Sequence, residues 1–319
     1  MKIVYFILAH KEPEQSKKLV NQLAGEEVKL YIHIDRDSDY SRFEQALDGL
    51  PNTTLVSTQA VHWGGISMVE ATLDLINNAY MAGELEEKGY CVLLSGQDFP
   101  IKPKTYIHTF LLENYGKEYI DLNKMPYSGW EDGGMIRIQA YASTVKDRVF
   151  IIYPLTHLYF FKPKNIKRVL RCIYASIKNN TIICCLKKIF SRRNIPENIP
   201  LYGGSQWWAL TFETVKKIKC FLERNSEYIR FHQDTFVPDE IFFHSLVPLL
   251  VDKEKLHKSI TYAAWDKSYN GRSPGLLTQE DIHELSQKQA LFARKFDMNE
   301  HPGILDVVTM RLLVEKEDE

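Results

Sequence analysis

The stretch Leu93-Leu94-Ser95-Gly96-Gln97-Asp98-Phe99-Pro100-Ile101 changes abruptly from apolar residues to small and polar ones. Residues 90–94 have the composition of a buried strand, and Gly96 and Pro100 prevent its simple continuation. Ligands in open α/β sheets bind at the carboxyl ends of strands, so residues 95–98 fall where a functional site is expected. A tight turn after a strand uses the same residue types. This stretch alone therefore does not decide between a functional site and a plain turn.

Strand-like and helix-like segments alternate on either side of this stretch. The alternation predicts an α/β fold with a mostly parallel central sheet flanked by helices. The helix expected at 67–82 carries the signature of a capping box, Ser67 with Glu70, and a C-terminal stop at Gly83. The predicted strands are 2–9, 29–35, 53–57, 90–95, 118–122 and 208–212, and the other predicted helices are 13–23, 213–225, one from near Pro238, and a tail at 279–295.

The composition is that of an ordinary globular protein and disfavours several classes. Apolar residues make up 45% of the 319 positions, charged residues 25%, and the net charge of −1 gives no global attraction to nucleic acid. The turn after the first strand lacks Gly-x-Gly-x-x-Gly and no Walker sequence occurs, so NAD and P-loop binding are disfavoured. Apolar runs fall short of the roughly 18 residues of a membrane span, so we expect a protein that is soluble or peripherally membrane-bound. Five cysteines without metal-like spacing favour free thiols in a reducing cytoplasm.

Residues 148–196 are basic, with no Asp or Glu among them. Apolar residues interleave with the basic ones at helical spacing between Ile166 and Ile177, which predicts an amphipathic helix. Such a helix can lie on an anionic membrane. The alternative is a solvated helix pair that covers the core, with a few charges facing a phosphate. The basic residues after Arg148 are Lys162, Lys164, Lys167, Arg168, Arg171, Lys178, Lys187, Lys188, Arg192 and Arg193.

Glu240 is the candidate catalytic carboxylate. It follows Pro238, which suits the first position of a helix, so Glu240 is expected in the first turn, where the helix dipole and free amides keep a carboxylate ionised. An ionised, fixed glutamate is what a general base needs in order to take a proton from a hydroxyl. Acidic residues in first turns also serve only to stabilise helices, and the local sequence leaves both interpretations open.

Two segments rich in glycine and tryptophan suit a sugar or nucleotide ligand. In Gly203-Gly204-Ser205-Gln206-Trp207-Trp208, aromatic faces and an amide can contact a sugar ring, although paired tryptophans are more often core residues. In Val61-His62-Trp63-Gly64-Gly65, glycines ahead of a helix allow backbone amides to approach a ligand closely.

Asp35-Arg36-Asp37 follows a predicted strand, and carboxylates at this spacing can hold a Mn²⁺ or Mg²⁺ diphosphate. The intervening Arg36 weakens that interpretation. Without a metal, the charge on a departing diphosphate needs fixed cations, and Lys295 and Arg272 are the candidates. A plain surface role remains open for either of them.

Taken in order along the chain, these motifs resemble the core-2/I-branching β-1,6-N-acetylglucosaminyltransferase family (glycosyltransferase family 14), which also includes peptide xylosyltransferases. The resemblance covers nearly the whole chain, and the order of the motifs is more specific than any one of them. The matching residues are Ala9-His10-Lys11, His33-Ile34-Asp35, 61–65 with Ser67, 95–101, 204–208, Pro238-Asp239-Glu240 and 292–297.

The resemblance implies a single GT-A-type domain over residues 1–319, with a nucleotide-sugar-binding half at 1–125 and an acceptor-binding and catalytic half at 126–319 that contains the basic insertion. It implies an inverting transfer from a UDP-sugar, with UDP-GlcNAc the expected donor and with no divalent metal or other cofactor. Glu240 matches the catalytic base. The residues that match donor contacts are His10, Asp35, Trp63, Gly64, Asp98, Arg272 and Lys295, and those that match acceptor contacts are Arg137, Gln206, Trp207 and Trp265.

Animal members of the family are luminal, membrane-anchored and rich in disulfides, and this chain departs from that pattern. We therefore expect a bacterial cytoplasmic relative, with peripheral contact to the inner membrane through residues 162–193. Its expected acceptor is a glycan of surface polysaccharide assembly, lipid-linked or nucleotide-activated, and no nucleic acid partner is expected. The alternatives are a UDP-xylose enzyme, a non-catalytic nucleotide-sugar or glycan-binding protein on the same fold, and a membrane-surface scaffold.

Overall fold

The computed structural model describes residues 1–146, 148–196, 198–267 and 274–314. Its strands are β1 (Lys2–Ala9), β2 (Val28–Ile34), β3 (Thr53–Val56), β4 (Gly89–Ser95), β5 (Asp98–Pro100), β6 (Glu118–Tyr119), β7 (Asn123–Lys124), β8 (Tyr141–Val145), β9 (Arg148–Ile152), β10 (Tyr202–Gly203), β11 (Ala209–Thr211), β12 (Leu256–His257), β13 (Thr261–Ala263) and β14 (Phe292–Arg294). Its helices are α1 (Pro13–Leu23), α2 (Tyr40–Leu47), α3 (Ser67–Met81), α4 (Lys104–Glu113), α5 (Ile136–Gln139), α6 (Pro163–Lys178), α7 (Ile182–Phe190), α8 (Phe212–Arg224), α9 (Ser226–His232), α10 (Phe242–Leu250), α11 (Ile282–Gln287) and α12 (Ile304–Leu312).

Within the described residues, seven strands form the central sheet in the order β12-β6-β11-β4-β1-β2-β3. Every neighbouring pair is parallel except the two that involve β11, which runs antiparallel to both β4 and β6. Strands β1 and β4 are nearly continuous apolar runs because helices cover both faces of a parallel sheet. The predicted α/β fold with a mostly parallel sheet is confirmed.

Hydrophobic cores lie on both faces of the central sheet. Successive side chains of a strand point to opposite faces, and in β1 Ile3, Tyr5 and Ile7 enter one core while Val4 and Phe6 enter the other. Helices α1, α2, α4 and α12 cover the first core, and α3, α8 and α10 cover the second. Side chains at the carboxyl edge of this sheet therefore rest on a base that is packed on both faces.

Two predictions about local structure are wrong. Ser67 does not cap α3, because the N-cap position is taken by Ile66 and the Ser67 hydroxyl accepts the His62 amide instead (2.8 Å). The predicted helical tail is helical only over a 3₁₀ turn at Gln279–Asp281 and α11, and residues 292–294 form strand β14. The predicted stop at Gly83 is confirmed, with Gly83 in the left-handed conformation (φ 73°).

A small second sheet, β13-β14-β5, brings two distant motifs together. Strand β14 pairs antiparallel with β5, with Arg294 opposite Asp98 and Phe292 opposite Pro100. Pairing with β5 supplies the backbone partners of residues 292–294, and these residues therefore form a strand despite the helical pattern of the preceding sequence. The motif at 95–101 and the motif at 292–297 thus share one edge of the molecule.

The basic insertion forms a unit of its own on the acceptor half. Strands β8 and β9 make an antiparallel hairpin, and α6 and α7 pack on it around a small core that contains Val145, Ile152 and Val169. The predicted amphipathic helix is confirmed as α6.

All five cysteines are free, as expected, with the Cys172 and Cys185 sulfurs 3.5 Å apart in this core. Among the described residues, no helix has the length and hydrophobicity of a membrane span.

Candidate active site

Glu240 lies in a tight turn next to the predicted donor loop. Pro238–Glu240 form a single 3₁₀ turn, and Val237 before it is left-handed (φ 51°). The prediction that Glu240 occupies the first turn of an α-helix is wrong, because Ile241 (φ −131°) interrupts the helical conformation and α10 begins only at Phe242. The Val237 amide donates to the Gly64 carbonyl (2.9 Å). This bond ties the turn to residues 62–65, so the candidate base and the candidate donor loop lie side by side.

Arg137 on α5 forms an ion pair with the Glu240 carboxylate, and both side chains remain partly exposed. The Arg137 guanidinium carbon lies 3.8 Å from the Trp130 ring centroid. Trp130 packs against Gly203, where any Cβ would lie 2.4 Å from the indole and 3.1 Å from the Glu240 carbonyl oxygen. Glycine is therefore required at 203 for Trp130, Arg137 and the Glu240 turn to come together.

Asp239 is buried beside Glu240, and its Oδ1 has no hydrogen-bond partner among the described residues. Burial raises the pKa of Asp239, the negative charge of Glu240 raises it further, and the Arg137 and Arg294 charges oppose them. The two adjacent carboxyl groups therefore have different environments, with Asp239 inside the protein and Glu240 facing solvent.

Asp98 lies beneath the site rather than on its surface. It is 0% exposed, accepts hydrogen bonds from the Ser95 amide (2.8 Å) and hydroxyl (2.9 Å), and forms an ion pair with Arg294 (3.0 Å). The Arg294 guanidinium in turn lies 4.0 Å from the Trp207 ring, which is also buried. Asp98 and Trp207 are both buried, and their predicted donor and acceptor contacts stay predictions. Both side chains hold Arg294, whose charge acts on Asp239 and Glu240.

The predicted donor residues His10, Asp35 and Lys295 lie within electrostatic reach of one another. Partial burial lowers the pKa of His10, the Lys11 and Lys295 charges lower it further, and Asp35 opposes them. The Asp35 carboxylate accepts a hydrogen bond from the Val61 amide (3.1 Å), which joins the end of β2 to the donor loop. The motifs around 10, 35, 61 and 295 therefore converge at the carboxyl end of the parallel strands.

Lys295 follows β14 and is half-buried. Its carbonyl accepts the Leu277 amide (2.8 Å), and the next amide, that of Phe296, donates to the Gln97 carbonyl (2.9 Å). The Gln15 side-chain amide donates to both the Gly96 (2.7 Å) and Phe296 (3.1 Å) carbonyls. These bonds fix the backbone of residue 295 against the loop that follows β4.

Trp63 lies exposed at the rim of the predicted donor side, and the adjacent Gly64 is buried. The Trp63 side chain is 72% exposed and meets the Phe236 ring edge to face at 5.8 Å. Gly64 is left-handed (φ 79°), and a Cβ at this position would lie 3.1 Å from the Phe236 ring. An exposed indole held at a fixed angle is suited to stack on a base or a sugar.

The predicted acceptor residues lie at different depths. Gln206 is buried, whereas Trp265 is exposed and lines a cleft of about 270 Å³ together with Asp121, Ser259 and Tyr262. The Ser259 hydroxyl donates to the Trp207 carbonyl (3.0 Å), so this cleft adjoins the 203–207 segment. Trp265 is therefore accessible from solvent and Gln206 is not.

Arg272 lies outside the described residues, so its predicted place beside the diphosphate has no structural description. Among the described residues, no three His, Cys, Asp or Glu side chains are grouped closely enough to hold a metal ion. Asp35 has one oxygen engaged by two backbone amides, those of Asp37 (3.0 Å) and Val61 (3.1 Å). Metal independence remains a prediction.

Three residues of this site were not singled out by sequence. Arg294 and Asp239 lie in the same motifs as their neighbours Lys295 and Glu240. Both side chains are buried, and only the structure shows this difference from their neighbours. Trp130 had no signal beyond lying in the stretch with Arg137. Depth inside a fold depends on long-range packing, which a local motif does not encode.

Comparisons with known proteins show the family of this chain. Residues 3–289 match the model of the Core-2/I-Branching enzyme family. Human xylosyltransferase 2 is 22% identical over 98% of this chain and 34% of its own length, and xylosyltransferase sqv-6 of Caenorhabditis elegans is 21% identical over 93% and 35%. The chain thus spans about a third of the length of these curated relatives. A solved structure of 4-diphosphocytidyl-2C-methyl-D-erythritol synthase has 12% identity and a TM-score of 0.28, over 40% of this chain and 65% of that one; we draw nothing from so weak a likeness.

The fold places this chain in the class of mixed α/β proteins with a mostly parallel central sheet, whose ligands bind at the carboxyl ends of the strands. More particularly, the chain belongs to the Core-2/I-Branching enzyme family, because that family's model covers nearly all of it.

Proposed function

We propose that this protein is an inverting, metal-independent glycosyltransferase that moves a sugar, GlcNAc first among the candidates, from a UDP-sugar to a hydroxyl group of a glycan acceptor. The observation that carries the proposal is the position of Glu240. Its turn is bonded to the donor loop through Gly64, and its carboxylate meets Arg137 on the acceptor half. A carboxylate at that junction is in position to accept a proton from an acceptor hydroxyl.

In the proposed reaction the acceptor oxygen attacks the anomeric carbon from the face opposite UDP. The acceptor O–H proton passes to the Glu240 carboxylate, and the electrons of the breaking C–O bond leave with the β-phosphate of UDP. The carbon is inverted because both events occur in one displacement. Lys295, beside His10 and Asp35, is the fixed cation assigned to the growing diphosphate charge, with Arg272 as its partner.

A second candidate donor is UDP-xylose. The curated relatives are named xylosyltransferases, at identities of 21–22%. Xylose lacks the C6 hydroxymethyl and the N-acetyl groups of GlcNAc. The pocket that holds the donor sugar must therefore be larger for UDP-GlcNAc than for UDP-xylose. A non-catalytic nucleotide-sugar or glycan-binding protein is disfavoured, because binding alone requires no base at Glu240.

For the acceptor, we propose a glycan of bacterial surface polysaccharide assembly that is lipid-linked, with the enzyme in the cytoplasm at the inner membrane. The support is the exposed, basic α6–α7 unit next to α5, which carries Arg137. Trp265 and its cleft are the assigned stacking face for an acceptor sugar.

The direct test is calorimetric titration of the protein with UDP, UDP-GlcNAc, UDP-glucose, UDP-galactose and UDP-xylose in the presence of excess EDTA. We expect one UDP-sugar to bind more tightly than UDP alone, and donor hydrolysis or transfer to persist with the chelator. ADP-glucose and GDP-mannose serve as matched controls and should not bind. Complete loss of binding and activity in EDTA would contradict the proposal and point to a metal at Asp35 and Asp37.

A further inference from the structure

The α6–α7 unit has one face that is accounted for by packing. Residues Asn165, Val169, Cys172 and Ser176 are buried, and they recur every three or four positions along α6. With Cys185 and Ile189 of α7 they pack on the β8–β9 hairpin. The inward face of α6 is therefore filled, and the rest of its circumference is available for another purpose.

A second stripe of α6 is apolar and lies in solvent. It consists of Ile166, Leu170, Tyr174 and Ile177, again spaced by three or four residues, and the last three are 60%, 62% and 59% exposed. Phe161, just before the helix, is also exposed. A helix on the surface of a globular protein normally presents polar residues away from its core. A contiguous exposed apolar stripe marks an interaction surface.

The third stripe of α6 is basic. Lys164, Lys167, Arg171 and Lys178 follow the apolar stripe along the helix, and Lys167 and Arg171 make no ion pair with any described residue. Eleven of the chain's 40 Lys and Arg lie in residues 148–196, against none of its 41 Asp and Glu. The complementary partner is therefore an extended anionic surface that also accepts apolar side chains.

We propose that α6 docks in the headgroup region of an anionic lipid bilayer, with its apolar stripe inserted among the acyl chains and its basic stripe on the lipid phosphates. An amphipathic helix with cationic flanks binds membranes by the sum of these two contributions. A second copy of this chain is the less suitable occupant, since two such faces would bring like charges together. Exposed Ile183 and Phe190 of α7 extend the apolar surface.

The α6–α7 unit is joined by polar contacts to the segments that carry Trp130 and Arg137. Arg193, after α7, donates from Nε to the Ile138 carbonyl (2.6 Å), and Ile138 follows Arg137 on α5. Lys164 pairs with Glu131 (3.5 Å), near Trp130. Membrane docking would therefore hold the Arg137–Glu240 region near the bilayer, where a lipid-linked acceptor is presented; this last consequence rests on the proposed function.

The test is sedimentation of the protein with vesicles of phosphatidylcholine alone and with about one third phosphatidylglycerol. We expect binding only to the anionic vesicles, and its loss at about 0.5 M NaCl, where charges are strongly screened. Leu170→Asp/Tyr174→Asp and, separately, Lys167→Glu/Arg171→Glu should each lower the partition coefficient about tenfold or more. UDP affinity is measured in parallel, so that a failure of docking is distinguished from a failure of the proposed function.

The matched controls are Leu112→Asp and Lys104→Glu/Lys253→Glu, which alter exposed apolar and basic residues elsewhere on the surface. They should bind vesicles as the unaltered protein does. The proposal is overturned if the unaltered protein stays in the supernatant when anionic vesicles are sedimented, or if the α6 variants bind as well as the controls. A concentration-dependent dimer that Leu170→Asp dissociates, without vesicle binding, would overturn it in favour of a second copy.

Discussion

At the scale of single residues, the ion pair of Arg137 with Glu240 is the centre of the candidate site. The two residues are 103 positions apart in the chain and meet because Gly203 lets Trp130 approach the Glu240 turn. An arginine in this place can hold the carboxylate in one orientation and also contact an acceptor oxygen. The arrangement predicts that both partners are needed for transfer and that neither is needed to bind UDP.

Substitution of Arg137 by Met is expected to lower kcat/KM for transfer about 10–100-fold, because one charge-assisted hydrogen bond to Glu240 is lost. Arg137→Lys should recover part of the loss, since it restores the charge without the planar fork. Steady-state kinetics with varied acceptor measures the effect. Arg42→Met, on the exposed surface of α2, is the control. An Arg137→Met enzyme with unchanged acceptor kinetics would show that the ion pair has no part in transfer.

Gly64 offers a second prediction at this scale. Gly64→Ala and Gly83→Ala each place a Cβ on a left-handed backbone, at a cost of about 1–2 kcal/mol in the free energy of unfolding. Only Gly64 has a neighbour in the way, the Phe236 ring at 3.1 Å, whereas nothing lies within 4 Å of a Cβ at Gly83. Both variants should lose stability by chemical denaturation, and only Gly64→Ala should also weaken UDP binding. Equal UDP binding by the two variants would show that the loop at residues 62–65 takes no part in donor binding.

The sequence selects candidate site residues by their type, but it does not predict how deeply each one is buried. Glu240, Lys295 and Arg137 could be selected from motifs, because their residue types are those that the chemistry needs. Asp98 in the 95–101 motif and Gln206 and Trp207 in the 204–208 motif were selected in the same way, yet all three are buried. Whether a side chain faces the ligand or supports one that does is decided by packing between distant segments.

At the scale of elements, sequence patterns located β1 and α1 with the bounds that the structure gives. Both have strong local signals, an uninterrupted apolar run and a proline at the first helical position. Strand β14 was taken for helix because three residues carry too little pattern, and its pairing with β5 spans almost 200 positions. The capping box at Ser67 failed since its hydroxyl has a competing partner in the His62 amide.

Helix α10, which follows the Glu240 turn, contains a buried histidine. His244 Nε2 lies 2.8 Å from the Ser205 carbonyl, and Nδ1 has no hydrogen-bond partner among the described residues. Burial lowers the pKa of His244 to about 4, from an ordinary value of 6.5, and the Ser205 bond only partly opposes this. The folded state therefore holds the imidazole neutral at a pH at which the unfolded chain protonates it.

Because the folded pKa is the lower one, the contribution of His244 to stability is complete above about pH 6.5 and is lost as the pH falls toward 4. The linked loss approaches about 3 kcal/mol. Denaturant unfolding between these pH values should show a smaller pH dependence for His244→Asn than for the unaltered protein. His283→Asn, at an exposed position, is the control and should leave the dependence unchanged. Parallel curves for all three proteins would contradict this prediction.

At the scale of the whole molecule, one sheet contains strands from both the predicted donor half and the predicted acceptor half. Strands β1 to β4 come from the first half and β11 and β12 from the second, with the candidate site at the carboxyl end of the parallel strands. The basic α6–α7 unit is attached beside the acceptor half and has its own small core. The proposed donor site and the proposed membrane-docking helix therefore lie on separately packed parts of the molecule. The donor is accordingly tested with UDP-sugars in EDTA and the attachment with vesicles.

The most direct measurement is transfer by the Glu240→Gln variant beside its affinity for UDP. Gln has the size of Glu but cannot accept the acceptor proton, so we expect kcat to fall about 10³-fold while the Kd for UDP stays within about twofold. Glu213→Gln, in the first turn of α8, is the matched control and should transfer normally. A Glu240→Gln enzyme that transfers sugar within about tenfold of the normal rate would show that another group removes the proton.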